Sequence, residues 1–197
     1  SKRYQRTQRE LRYLQHCQAE MRKRQHIELA NHLLTLGDRF YVEDMAWPSL
    51  TRRAKETAIS EKTGKIKRKK RFGKSIANKA PAALIGILEQ KCYSLGLPGV
   101  VKVPTSLKAS QYNHQSGEYT PKPLSRRWNN MPDGERIQRD LYSAFLLQHY
   151  DPQTGNFDPV LLQQDYPQFV QYHHCAIQRL SAMPRTLSSM GIQRSLR

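Results

Sequence analysis

The sequence predicts an α/β fold in which two parallel strands are joined through a basic insert and a helix. Residues 39–45 predict the first strand, because an aromatic and β-branched run follows a Gly-Asp turn signal there. Residues 100–103 predict the second, a short Val-rich run closed by Pro104. A helix between two strands is the crossover that parallel pairing requires, so both strands are expected in one sheet.

The segment before the first strand predicts a basic helical segment over residues 1–36, as one long helix or a pair. It has no Pro or Gly, and its apolar residues recur at roughly helical spacing. Arginines and lysines stand between the apolar positions, where they favour phosphate contacts or form a solvated basic face. The candidate nucleic-acid contacts of this segment are Arg9, Arg12, Arg22, Lys23 and Arg24.

The insert over residues 51–80 concentrates the positive charge of the chain. It carries 12 basic and 2 acidic residues, a net charge of +10. Gly64 and Gly73 flank its most basic run, which predicts a flexible loop or hairpin tip. Phosphate contact is the preferred interpretation, and a localisation signal or a solvated run is the alternative. The candidate contacts are Arg52, Arg53, Lys65, Lys67, Arg68, Lys69, Lys70 and Arg71.

The rest of the chain predicts two further helices and a long loop. Pro81 opens a helix over residues 81–95, and Cys92 lies on its apolar stripe. Residues 105–135 show little periodicity and predict a loop or small irregular subdomain. An amphipathic helix is expected over residues 136–150, and residues 151–197 are expected to form a C-terminal helix and tail, with an N-cap and Pro at its start.

Composition narrows the class of partner. The chain has 33 basic and 16 acidic residues, a formal net charge of +17, which indicates a polyanion: nucleic acid first, a membrane surface second. No apolar run approaches the roughly 20 residues that span a bilayer, and no apolar segment near the N-terminus resembles a secretory signal. Three scattered cysteines form no paired motif, which predicts a reducing, cytoplasmic compartment.

Two acidic residues are candidates for a catalytic site. Glu43 follows the apolar run of the first strand, where an acid is either solvated or placed for a ligand. Asp140 lies in the predicted helix over residues 136–150, at the edge of its apolar face. Such an acid is usually a plain polar helix residue, but here it is also able to point towards a strand end.

Three short motifs resemble one family in the same order along the chain. Val-Glu-Asp-Met at residues 42–45 resembles the second catalytic motif of the RuvC-like nuclease domain in TnpB (OrfB) transposon proteins and type V CRISPR effectors. Ala-Ser-Gln at residues 109–111 is similar to the T-S-Q motif of that family. Arg-Asp-Leu-Tyr-Ser-Ala at residues 139–144 resembles its third motif, R-D-x-N-A-A. The resemblance covers roughly residues 1–150.

The resemblance implies an incomplete RNase H-like (RuvC) domain over residues 37–150 and two-metal phosphodiester hydrolysis. In that chemistry two Mg²⁺ ions about 4 Å apart activate water and stabilise the leaving oxygen. Glu43 and Asp140 match two positions for magnesium ligands. Guide RNA and target DNA are the implied partners, and their backbones would lie along the basic segments, to which the family adds Arg126 and Arg127. The implied location is the nucleoid of a prokaryotic cell.

The chain departs from the family in two respects. The family has a strand with an essential Asp before the long basic helix, so a longer protein partner is the expected source of that Asp. The family also inserts a zinc ribbon with two CxxC pairs, whose positions correspond here to Asn113 and Ser116 and to Asn130 and Asp133. We therefore expect no zinc and a degenerate, cysteine-free ribbon-like insert.

Three functional hypotheses follow from these observations. In the first, the chain is the C-terminal RuvC-like part of an RNA-guided DNA endonuclease, and Glu43 and Asp140 are its Mg²⁺ ligands. In the second, the same fold is a nuclease-inactive RNA- or DNA-binding or assembly module. In the third, the chain is an unrelated basic nucleic-acid-binding protein whose acids are structural. Loss of cleavage with retained binding, after substitution of either acid, would separate the first hypothesis from the others.

Overall fold

The computed structural model describes residues 1–52, 55–61, 63–66, 73–123, 125–184 and 188–193. Within these residues, no helix combines the length and the apolar character needed to cross a membrane. Six of the predicted nucleic-acid contacts lie outside the described residues, namely Arg53, Lys67, Arg68, Lys69, Lys70 and Arg71.

The described part of the chain is mixed helix and strand. The helices are α1 (Lys2–Leu36), α2 (Trp47–Thr51), α3 (Gly73–Lys79), α4 (Pro81–Ser94), α5 (Arg139–Gln148) and α6 (Pro159–Ser181). The strands are β1 (Arg39–Glu43), β2 (Gly99–Val103), β3 (Tyr112–Asn113), β4 (Glu118–Tyr119), β5 (Trp128–Asn130), β6 (Arg136–Gln138), β7 (Tyr150–Asp151) and β8 (Asn156–Phe157).

The chain divides into two compact units. Unit 1 comprises Ser1–Phe40 and Met45–Val101, and unit 2 comprises Tyr41–Asp44 and Lys102–Arg197. Each unit has its own hydrophobic core. Both candidate acids, Glu43 and Asp140, belong to unit 2.

The core of unit 1 lies between α1 and α4. The predicted helical segment is one continuous helix, and its apolar residues near the C-terminal end face α4. Ala30 is fully buried there beside Leu88 and Cys92. The apolar stripe predicted for Cys92 is therefore confirmed, since its side chain is 1% exposed.

Strands β1 and β2 form a two-stranded sheet. The Gly99 N–H donates to the Asp38 carbonyl at 3.4 Å, and the Asp44 N–H donates to the Val103 carbonyl at 2.8 Å. The N-terminal ends of the two strands are thus adjacent, and so are their C-terminal ends. The strands therefore run parallel, as predicted. Strand β1 ends at Glu43, two residues before the predicted end, because α2 begins soon after, at Trp47.

The core of unit 2 is aromatic and lies between α5 and α6. Tyr142, Phe145 and Tyr166 are buried in it, and the Phe145 and Phe169 rings stack at 4.4 Å between centroids. The predicted N-cap of α6 is confirmed, since the Asp158 carboxylate accepts from two backbone N–H groups in the first turn. Helix α6 continues through an internal proline to Ser181.

The helix predicted over residues 136–150 is wrong at its start. Residues Arg136–Gln138 form β6, which pairs antiparallel with β5, and the helix begins at Arg139. The buried Ile137 is compatible with a strand that faces the core and also with a helix, so the apolar pattern alone does not distinguish the two. Pairing with Asn129 on β5 decides the outcome.

The loop predicted over residues 105–135 contains the β3–β4 hairpin and strand β5, which pairs with β6 just beyond it. Gly117 and Gly134 take positive φ values of 71° and 88° in the two turns, a conformation that favours glycine. Within the basic insert, Ile59 and Ile66 form an isolated antiparallel bridge around Gly64. The predicted flexible loop or hairpin tip between Gly64 and Gly73 falls mostly outside the described residues. Helix α3 was not predicted.

Candidate functional site

Glu43 is the last residue of β1 and its side chain is half-buried. Among the described residues, no donor hydrogen-bonds to its carboxylate and no cation pairs with it. The next residue, Asp44, is exposed and uses its backbone N–H to bond to β2. A half-buried carboxylate with free oxygens at the carboxyl end of a parallel strand is suited to bind a cation.

Asp140 lies in the first turn of α5 and is exposed, rather than at the edge of a packed face. The side-chain amide of Gln138 donates to its Oδ2 at 3.2 Å. The positive end of the helix dipole also favours an anion in this turn. The carboxylate is therefore oriented by its neighbours and still open to solvent.

The Gln138 side chain that holds Asp140 is fully buried. Its Oε1 accepts from the Leu141 N–H at 2.8 Å and so caps α5, while its Nε2 also donates to the Met190 carbonyl at 3.2 Å. Its backbone N–H donates to Nε2 of His173 at 3.0 Å. Sequence reasoning missed this residue, because Gln is not among the preferred N-cap residues.

The two candidate acids offer oxygen ligands of the type that Mg²⁺ prefers. Within the described residues, however, no group of three or more His, Cys, Asp or Glu side chains is arranged to hold a metal ion. Two carboxylates leave most coordination positions of Mg²⁺ to water, phosphate or further ligands. A two-metal site thus needs at least one more carboxylate than these two.

A hydrogen bond connects the turn of the β3–β4 hairpin to the turn of the β5–β6 hairpin. The Gln115 side-chain amide donates to Oδ2 of Asp133 at 2.7 Å, and Asp133 Oδ1 accepts from the Glu135 N–H. Burial pushes the pKa of Asp133 up, but these hydrogen bonds outweigh burial and leave that pKa below its ordinary value. An ionised carboxylate and a side-chain amide therefore connect the two turns.

His114 fastens the first hairpin to α5. The Tyr142 hydroxyl accepts from the His114 backbone N–H at 3.1 Å and lies 2.8 Å from its ring Nδ1. Burial lowers the pKa of His114 and raises the pKa of Tyr142 to about 12, so both groups are neutral at pH 7. His114 also packs on the Tyr166 ring, with 4.6 Å between centroids. It is a packing residue, not the surface residue that a lone histidine suggests.

The structure gives one predicted nucleic-acid contact a partner within unit 1. Arg22 donates from Nη1 to the Ala77 and Asn78 carbonyls at the end of α3, and His26 lies 3.0 Å from the Lys79 carbonyl. These contacts stabilise the carboxyl end of a helix. The other described candidates are exposed except for Arg127, which is half-buried; the exposed ones are Arg9, Arg12, Lys23, Arg24, Arg52, Lys65 and Arg126.

No protein-family model, curated protein or solved structure matches this chain.

The Tyr142→Phe variant tests the attachment of the first hairpin. Loss of the hydroxyl leaves the His114 N–H and ring nitrogen unpaired in a half-buried site, so we expect about 1–3 kcal/mol lower free energy of unfolding. Denaturant unfolding followed by circular dichroism measures this. Tyr172→Phe is the matched control, because its hydroxyl is exposed and accepts only from Gln168. Equal effects of the two substitutions would contradict the assignment.

Chelation tests whether the hairpins fold without metal. Structural zinc contributes about 10–16 kcal/mol to the folding of small zinc domains. Because a hydrogen bond connects the two turns, we expect EDTA to leave the Tm unchanged and elemental analysis to find no stoichiometric zinc. A Tm that falls with EDTA and recovers with added zinc would show that the region is a metal site.

The buried His173 makes stability depend on pH. Burial, and then the neighbouring His174, lower its pKa below the ordinary 6.5, while Glu135 opposes them. The unfolded chain therefore binds more protons than the folded chain as the pH falls through 6.5, and stability decreases on acidification. We expect His173→Gln, which keeps an acceptor for the Gln138 N–H, to lose less Tm between pH 7.5 and pH 5.5 than the parent. His32→Gln on the exposed face of α1 is the control.

Proposed function

We propose that this chain is the C-terminal RuvC-like portion of an RNA-guided DNA endonuclease similar to TnpB and type V CRISPR effectors. In this proposal it supplies Glu43 and Asp140 to a magnesium site and binds guide RNA and target DNA through its basic segments. A longer protein partner, or an upstream segment, supplies the third carboxylate. The assembly would work in the prokaryotic cytoplasm, close to the nucleoid.

The observation that carries the proposal is the position of Glu43. The residue ends a strand that lies parallel to β2, and its half-buried carboxylate has no partner among the described residues. Ligands in open α/β sheets bind beyond the carboxyl ends of the strands. A structural acid at such a place would be expected to pair with a cation or a donor.

Asp140 is proposed as the second ligand. Its carboxylate is exposed and lies in the first turn of α5, and the Gln138 amide holds its Oδ2 in place. Magnesium bound by these acids would activate water and stabilise the leaving oxygen of a phosphodiester. The contribution of this chain is to hold two negative oxygen ligands in orientation.

A nuclease-inactive RNA- or DNA-binding or assembly module of the same family is the second candidate function. It is favoured by the charge of the chain, since 33 basic residues face 16 acidic ones. In that case the net charge of +17 would serve nucleic-acid binding alone.

Substitution of the acids distinguishes these two functions. In an assembly that cleaves DNA in the presence of Mg²⁺, we expect Glu43→Gln or Asp140→Asn to lower the cleavage rate by at least about 100-fold, because removal of one electrostatic group at a reacting centre costs roughly that much. Binding of guide RNA, measured by gel shift, should not change. The rate is measured in single-turnover experiments on a labelled duplex.

Asp44→Asn is the matched control for charge, because Asp44 adjoins Glu43 but is exposed on the other side of the strand. It should cleave within a few-fold of the parent rate. Cleavage that survives both ligand substitutions would contradict the assignment of the site. An assembly that binds RNA and DNA but never cleaves would favour the second candidate function.

A further inference from the structure

Unit 2 contains a cavity of about 470 Å³ beside the β5–β6 hairpin. Its lining comes from the hairpin, from the last turns of α6 and from residues 191–193. Arg127 and Arg136 contribute two cations, and Ser125, Ser181 and Gln193 contribute neutral polar groups. None of the described lining residues is Asp or Glu. The cavity is therefore polar, positive and within the size range of small-ligand sites.

An aromatic wall is held in a defined orientation in this cavity. The indole Nε1 of Trp128 donates to the Gly191 carbonyl at 2.9 Å, across 63 residues of sequence. The guanidinium carbon of Arg136 lies 4.9 Å from the centre of the Trp128 ring. Gly191 has a φ of 70°, and a Cβ there would lie 2.7 Å from Cβ of Arg127. The wall depends on this close approach of backbone to side chain.

The two arginines have unused capacity to bind an anion. Among the described residues, neither guanidinium has a carboxylate partner. Arg126 and Arg139 add positive charge close by: after burial, these two arginines are the causes that lower the pKa of Lys122. Arg127 is next to this group in the fold, because its carbonyl accepts from the Arg139 N–H at 2.9 Å. An anion is thus favoured both by the two arginines and by their surroundings.

We propose that this cavity binds one nucleotide of single-stranded nucleic acid, with the phosphate on Arg127 and Arg136 and the base against Trp128. Planar guanidinium groups bind phosphate oxygens in pairs, and indole and guanidinium faces stack on bases of any sequence. The inference rests on the proposed function in one respect, which is that both require a nucleic-acid partner. The site itself is separate from Glu43 and Asp140 in its residues.

Trp128 provides a direct signal for this site. The chain has two tryptophans, so Trp47→Phe leaves Trp128 as the only indole fluorophore. In that background we titrate five-nucleotide single strands of RNA and of DNA with the same sequence, at low salt. We expect saturable quenching of Trp128 by either strand, with a preference for RNA only if the 2′-hydroxyl is also bound.

The Arg127→Gln/Arg136→Gln double variant should bind the single strands at least roughly 10-fold more weakly than the parent, because it loses charge-assisted contacts to phosphate. Lys91→Gln/Lys108→Gln removes the same charge elsewhere and should bind as the parent does. Arg136→Lys keeps the charge but loses the planar group. It should therefore quench more weakly than the parent, and the loss should be smaller than in the double variant. This single variant keeps the test valid if the double variant does not fold.

The inference is overturned if neither strand quenches Trp128, or if quenching is the same in the arginine variants and the parent. Gel shifts with a longer RNA then separate it from the proposed function. If the longer RNA still binds, only the cavity assignment fails. If no nucleic acid binds at all, both proposals fail.

Discussion

The buried amide of Gln138 is the interaction on which unit 2 depends. Gln138 connects four parts of the fold. It is the last residue of β6, and its side chain caps α5. Its backbone N–H donates to His173 on α6, and its side chain donates to the Met190 carbonyl. A carboxylate in its place would offer no donor to Asp140 and would repel it. The same residue thus orients Asp140 and anchors the segment that brings Gly191 to Trp128.

The sequence predicted the elements that depend on residues close together in the chain, and it predicted less well those that depend on contacts between distant residues. The periodicity of α1, the capping signals of α6 and the crossover between β1 and β2 were all readable, because each depends on residues close together or on a general rule of connection. Strand β6 was not readable, since its pairing with β5 overrides an apolar pattern that also fits a helix. The bond from Trp128 to Gly191 spans 63 residues and has no local signal.

The β3–β4 and β5–β6 hairpins are held in place by packing and hydrogen bonds. The two turns are joined by a Gln115–Asp133 hydrogen bond at 2.7 Å, and His114 carries the first hairpin onto an aromatic core. Aromatic pairs contribute about 0.5–1.5 kcal/mol each beyond their burial, so the ring contacts of His114 add to the stability of this region. Burial lowers the pKa of His114 and of His173, so the fold loses stability when these two rings are protonated.

The two acids and the cavity differ in what they still require. In the proposed function, Glu43 and Asp140 would supply two oxygen ligands, and a two-metal reaction would depend on further carboxylates being brought to them. The cavity needs no further protein group, because its cations and aromatic wall are already assembled in unit 2. Nucleic-acid binding by this chain is therefore expected to precede cleavage and to survive without it. If a protein partner supplies the further carboxylates, as proposed, it would add the chemistry to a nucleic acid that is already bound.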